Sequence, residues 1–298
     1  MLWIPITLVA CAAQVLRNGA QASLTGRIGT LGATQVRFVF GLPFAVLFLL
    51  AGLAITGEGL PHLNAGALRW GMLGAVAQIA ATALMLWVMH KRAFGVAYAY
   101  IKTEPVIVAL LGVLLLGDHL PALGWVAVVV VTAGVLCASV KPGEFSRLLS
   151  EKGMIAAGVA AGGLFGLSAI AFRGAINSLH EGGYVVRSLT MLVVTLAIQA
   201  GLLGIWLALR DRAAFVGSLR EWRRSMGAGF LGALASAFWF TGFALTAAAN
   251  VRTLALAEMP MAALLSGRLT GKGMARHEVT GLALVMLGVG LLLWSAAA

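Results

Sequence analysis

Residues 100–107 read YIKTEPVI, and they set a lysine, a glutamate and a proline inside an apolar run that extends from Ala93 to Leu116. Glu104 lies about 12 residues from one flanking loop and about 13 from the other, roughly 18–20 Å each way at the helical rise, so it sits close to mid-bilayer. A charge facing lipid at that depth costs at least ~2.5 kcal/mol, so it must face protein or a water-filled cavity. Lys102 and Glu104 are two positions apart and point to different sides of a helix, so each needs its own partner from another helix, water or a ligand. Pro105 removes a backbone donor, frees the carbonyl of Ile101 and is placed to bend the helix there.

Other polar residues share this depth. Gln14, Arg17 (or Asn18) and Gln21 recur at helical spacing as one polar stripe on an otherwise apolar segment. Gln78 and Thr82 lie one turn apart, and Ser236, Trp239 and Phe243 follow i, i+3, i+7 spacing. Tyr98 falls on the Lys102 side of its helix and Tyr100 on the Glu104 side. Arg37 enters its span from the same side as Arg17, and the second half repeats the set as Arg173, Arg187 and Glu258. A purely structural network locking helices together suits Arg37, Arg173 and Arg187, which reach toward span ends. For Gln14, Arg17, Gln21, Gln78, Thr82, Tyr98, Lys102, Glu104, Ser236, Trp239, Phe243 and Glu258 the reading is a cavity lining or substrate contact. Arg17 and Lys102 offer charge to a carboxylate, Glu104 to an amine, and the glutamines neutral hydrogen bonds.

The elements that carry these residues follow from composition. The chain has 298 residues, 61% hydrophobic and 10% charged, with mean hydropathy +0.98. A soluble chain is usually about a quarter charged, and one run after another here reaches the roughly 20 residues that cross a bilayer. The expected class is an all-α integral membrane protein. A barrel is excluded, because its strands alternate over only about 10 residues. The first segment, MLWIPITLVACAAQVL, lacks a basic leader region and reads as a span, not a removable signal. Cys11 and Cys137 both lie in apolar segments and read as core residues. The net charge of +11 would suggest nucleic acid in a soluble protein, but the basic residues gather in short loops, where they set membrane orientation. No histidine pairs at metal spacing, there is no HExxH, and no metal or cofactor is expected. Trp3, Trp206 and Trp294 fit an interfacial belt.

Ten spans are predicted, near 3–24, 32–56, 68–90, 94–116, 121–140, 153–178, 183–209, 224–247, 251–269 and 277–296. The linker KPGEFSRLLSEK divides the chain into two five-span repeats, 1–144 and 145–298. A shift of 154 carries Arg69 onto Arg223, Glu104 onto Glu258, Gly117 onto Gly271 and Gly134 onto Gly288. Loops after spans 1, 3, 5, 7 and 9 collect most of the Lys and Arg, while those after spans 2, 4, 6 and 8 hold little beyond Arg69 and Arg252. The positive-inside rule then puts both termini outside the cytoplasm. Residues 57–67 have no Lys or Arg and 210–224 have five, so equivalent loops carry opposite bias, as inverted repeats require. The expected setting is a bacterial-type inner membrane, with the bilayer and a small molecule as partners, no nucleic acid, and compatibility with a monomer.

The segment TEPVIVALLGVLLLGD (103–118), followed by GWVAVVVVTAGVL (124–136), resembles the signature of the EamA family in the drug/metabolite transporter superfamily. A degraded copy follows, AEMPMAALLSGRLTGKG (257–273) and GLALVMLGVGLLL (281–293). The acid after glycine is Asp118 in the first copy but Lys272 in the second, and Lys102 also departs from the family pattern. The resemblance implies ten helices in two inverted bundles, alternating access through a central cavity between the repeats, and no enzymatic activity. It also implies export of amino acids, aromatic ones included, or related metabolites. The alternatives are an exporter of lipophilic cations, against which Arg17 in the first span argues, and a membrane enzyme or scaffold.

Overall fold

The computed structural model describes residues 1–91, 104–140, 152–259 and 275–297. Among them the secondary structure is entirely helical, as a bilayer demands of a chain that cannot close a barrel. Seven helices are long and apolar enough to cross a membrane, and Trp3–Arg17 and Glu104–Leu116 are shorter apolar helices. Large apolar side chains point outward without cover, among them Ile55 (85% exposed), Leu114 (76%) and Leu209 (79%). Lipid, not water, is the solvent that makes such a surface stable. The chain is a multi-pass membrane protein.

Helix α1 runs from Trp3 to Val39, with Pro5 in the first turn, where its missing N–H breaks no helical bond. It does not stop near residue 24 as expected, because nothing before Gly29 ends a helix. Gly29, at φ 70° and ψ 171°, then breaks it in a conformation only glycine adopts readily. Phe40 links it to α2 (Gly41–Thr56), which Gly57 closes with its N–H on the Leu53 carbonyl at 2.9 Å. Asn64 caps α3 (Ala65–Lys91) by accepting from the Ala67 N–H at 2.8 Å. Helix α4 (Glu104–Leu116) ends at Gly117, and the Asp118 N–H returns to the Gly112 carbonyl at 3.1 Å. Then follow α5 (Ala122–Ser139), α6 (Lys152–Asn177) and α7 (Tyr184–Arg210). The sequence 210–224, expected to be a linker, contains a further helix, α8 (Arg212–Arg220), capped by Asp211 on the Ala214 N–H at 3.0 Å. Helices α9 (Trp222–Leu245), α10 (Ala248–Leu254) and α11 (Arg276–Ala297) complete the described chain, with a 3₁₀ turn, Ala255–Ala257, after α10.

The chain divides into two compact units, and each takes helices from both halves of the sequence. The first unit spans 2–79 and 171–245. Here α1 packs along α9, and α2 against α7 and α9, over buried Leu24, Ala33, Val36 and Ala228. Helix α6 runs antiparallel to α3, with Trp70 against Gly174 and Gly74 against Phe172, while α7 runs parallel to it, with Met191 and Thr195 against Gly71. At one end, two loops are stitched together. Glu58 accepts from the Gly183 N–H at 2.8 Å, and Asn64 donates to the Ser178 carbonyl at 2.5 Å.

His62 and Glu181 close the same seam at 2.8 Å, both exposed. Hydrogen bonding to Glu181, and then its charge, raise the His62 pKa above 6.5. Hydrogen bonding to His62 lowers that of Glu181 below 4.5. The histidine's contribution is full below 6.5 and is lost as pH rises through its raised value. The glutamate's is present above 4.5 and is lost as pH falls through its lowered value. The clasp is therefore strongest in mildly acid solution. The melting-temperature difference between the parent and Glu181→Gln is expected to be largest near pH 5–6 and to shrink as pH rises through the raised histidine pKa, leaving the bond that the His62 backbone N–H donates at 3.2 Å; a difference that does not change with pH refutes it.

The second unit comprises Met1, 80–170 and 246–298. Its backbone is the pair α5–α11, which run antiparallel along a glycine seam. A Cβ on Gly134 would meet the Val285 nitrogen at 2.7 Å, and one on Gly288 the Val131 nitrogen at 2.8 Å. Small residues let helices approach this closely, where lipid offers no hydrophobic drive.

Candidate functional site

In the first unit, polar side chains bridge helices within the apolar body. Gln14 on α1 accepts from Trp239 Nε1 on α9 at 3.1 Å, and Trp239 is 6% exposed. One turn on, Arg17 is 8% exposed. Its stem and that of Arg37 flank Gly232 on α9, whose Cβ would stand 3.5 Å from Arg17 Cδ and 3.4 Å from Arg37 Cγ. Two arginine stems thus meet the same face of α9. Arg37 also lies over the Phe38 ring at 5.5 Å. On the α3–α7 side, Gln199 donates to Gln78 Oε1 at 2.7 Å, and buried Gln35 donates to the Ala200 carbonyl at 3.4 Å. Ser236 and Phe243 are buried on α9. The arrangement offers cationic and amide donors in a low-dielectric body, a chemistry suited to a carboxylate.

Arg173 and Arg187 bond to backbone. Arg173 donates to the Phe243 carbonyl at 2.6 Å, within the last turn of α9, where carbonyls lack helical partners and the dipole favours a cation. Arg187 donates to the Leu179 carbonyl at 3.2 Å. These contacts hold helix ends.

In the second unit, Glu104 opens α4 as described and is 3% exposed. Its partner is Arg252 on α10, with Nη2 and Nε both on Oε1, at 2.5 and 2.6 Å. The sequence reading treated Arg252 as a loop charge. It instead lies within a helix, its side chain 18% exposed, because α10 packs against α4. A lone arginine in the run ANVRTLALAE, six residues before a glutamate, is the signal that could have found it. Glu258 is 7% exposed and follows the 3₁₀ turn, and Thr82 is buried at 9%. Gln199 and Gln35, missed as candidates, carry the same signal, an amide inside an apolar span. Tyr98, Tyr100, Lys102 and the side chain of Gln21 lie outside the described residues. Among the described residues, no cluster of His, Cys, Asp and Glu suits a metal ion.

The model of the EamA-like transporter family matches residues 2–140. A solved crystal structure aligns with TM-score 0.73 at 18% identity, covering 100% of this chain and 99% of its own, a likeness of fold alone. No curated protein matches the chain.

Proposed function

We propose, for a multi-pass membrane protein whose residues 2–140 match the EamA-like transporter family, that it is a transporter of that type and exports small carboxylate-bearing metabolites, amino acids first among them. The observation that carries this reading is buried Arg17 beside partly buried Arg37 at Gly232, with the Gln14–Trp239 bond one turn away. A guanidinium held in an apolar body binds a carboxylate bidentately, and the tryptophan offers an apolar face beside it. Glu104 is already met by Arg252, which argues against a cation as the main cargo.

Alternating access by two inverted five-helix repeats, 1–144 and 145–298, is the mechanism we assign. Two contacts support it. The α5–α11 pair, equivalent under the shift of 154, runs antiparallel. The loop after α2 is stitched to the loop after α6, as an inverted arrangement of the repeats requires. The basic loops argue for a bacterial-type inner membrane with both termini periplasmic.

Arg17→Ala is expected to cut amino-acid flux in proteoliposomes at least tenfold while the melting temperature stays near that of the parent. Lys102→Ala is expected to do the same. Unchanged flux in both variants ends the assignment. Tight tetraphenylphosphonium binding, lost on Glu258→Gln, would favour lipophilic-cation export, the reading that buried Glu258 supports.

A further inference from the structure

The geometry points to a binding site for anionic phospholipid headgroups on α8. This helix joins α7 and α9, both candidate spans, so it lies at one surface of the bilayer. Its inner side is held by the first unit. A Cβ on Gly32 would meet the Ala214 carbonyl at 3.4 Å, one on Gly217 would meet Ile28 Cγ2 at 3.2 Å, and Ser218 is 1% exposed. The outer side carries Arg212, Leu219 and Arg220, all exposed, with Val216 partly covered between them. Arg212 and Arg220 stand about 12 Å apart along the axis at the helical rise. Arg210 precedes the helix, and Trp222, Arg223 and Arg224 follow it, all exposed.

Charge complementarity names the occupant. Five arginines meet two acids in this segment, and both acids are engaged. Asp211 caps α8, and Glu221 contacts Arg224 at 3.4 Å. The apolar groups interleaved with the arginines, Leu209 (79% exposed), Leu219 (42%) and Trp222 (50%), suit acyl chains and glycerol backbone, which a soluble anion lacks. Arg223 stacks over the Trp222 ring at 5.4 Å, which keeps a guanidinium at the depth where phosphates lie. Basic side chains near an anionic leaflet contribute about a factor of five each in lipid affinity. The same helix flanks the Gly29 break of α1 through Ile28 and Gly32, so an occupied site braces that break.

The test is a lipid titration of the detergent-purified full chain, read by melting temperature, and does not depend on transport. Dioleoyl phosphatidylglycerol is expected to raise the melting temperature by several degrees more than dioleoyl phosphatidylcholine. R212Q/R220Q/R223Q is expected to weaken the phosphatidylglycerol response on the order of 100-fold in concentration while leaving the phosphatidylcholine response intact. The corresponding triple lysine variant is expected to retain most of it. If the triple glutamine variant does not fold, R220Q and R223Q are titrated singly, each expected to lose about fivefold. An undiminished phosphatidylglycerol response in these variants overturns the proposal. So does an equal stabilisation by inorganic phosphate, or by phosphatidylcholine.

Discussion

Arg252→Gln is expected to destabilise the protein by about 3–5 kcal/mol, and adding Glu104→Gln is expected to restore most of that loss. The carboxylate of Glu104 is 3% exposed, and Arg252 holds its Oε1 through both Nη2 and Nε. Removing the guanidinium strands an anion in a medium that cannot solvate it, while removing both charges leaves two amides that hydrogen-bond without a charge to bury. The asymmetry is the diagnostic: the double variant should melt nearer the parent than Arg252→Gln does. A double variant no more stable than the single would mean that the pair is not what holds α4 to α10.

Gly288→Leu has an equally severe expected outcome, a protein that does not accumulate in folded form. Any Cβ at Gly288 would stand 2.8 Å from the Val131 nitrogen, and the backbone cannot swing aside as a side chain can. Relieving the clash means parting α5 from α11 along a seam that also includes Gly134 and Gly281. Overpacking of one well-fitted contact costs about 1–3 kcal/mol, and a helix-length separation costs more. Gly290→Leu, two residues on and on another face of the same helix, with nothing within 4 Å of its Cβ, is the control and is expected to fold. Fluorescence-detected size-exclusion chromatography of the two variants separates the outcomes, and a monodisperse Gly288→Leu peak at parental yield would refute the seam.

The spans that ended in strong turn signals were legible from the sequence. The ranges 153–178, 183–209 and 277–296 fall within two residues of α6, α7 and α11, since apolar length and flanking glycine or charge fix both ends. Three features were not. The continuation of α1 to Gly29 was hidden because a glycine beside polar residues reads as a loop, whereas only the achieved φ tells whether the helix stops there. Helix α8 was hidden because nine residues with three charged or polar ones carry too weak a pattern to stand apart from a linker. The 3₁₀ turn before Glu258 lies in a run that is uniformly apolar, so no periodicity marks it.

Sequence alone determined that the chain crosses a membrane, which residues are too polar to face lipid, and which family pattern its first half carries. Those conclusions rest on transfer energies, which depend on residue type and run length. Only the tertiary structure decided who meets whom. It gave Glu104 to Arg252 across 148 residues, Gln14 to Trp239 across 225, and Arg17 and Arg37 to one glycine. A buried polar group must find a partner, but burial fixes only the need; the choice among partners is made by which helices pack together.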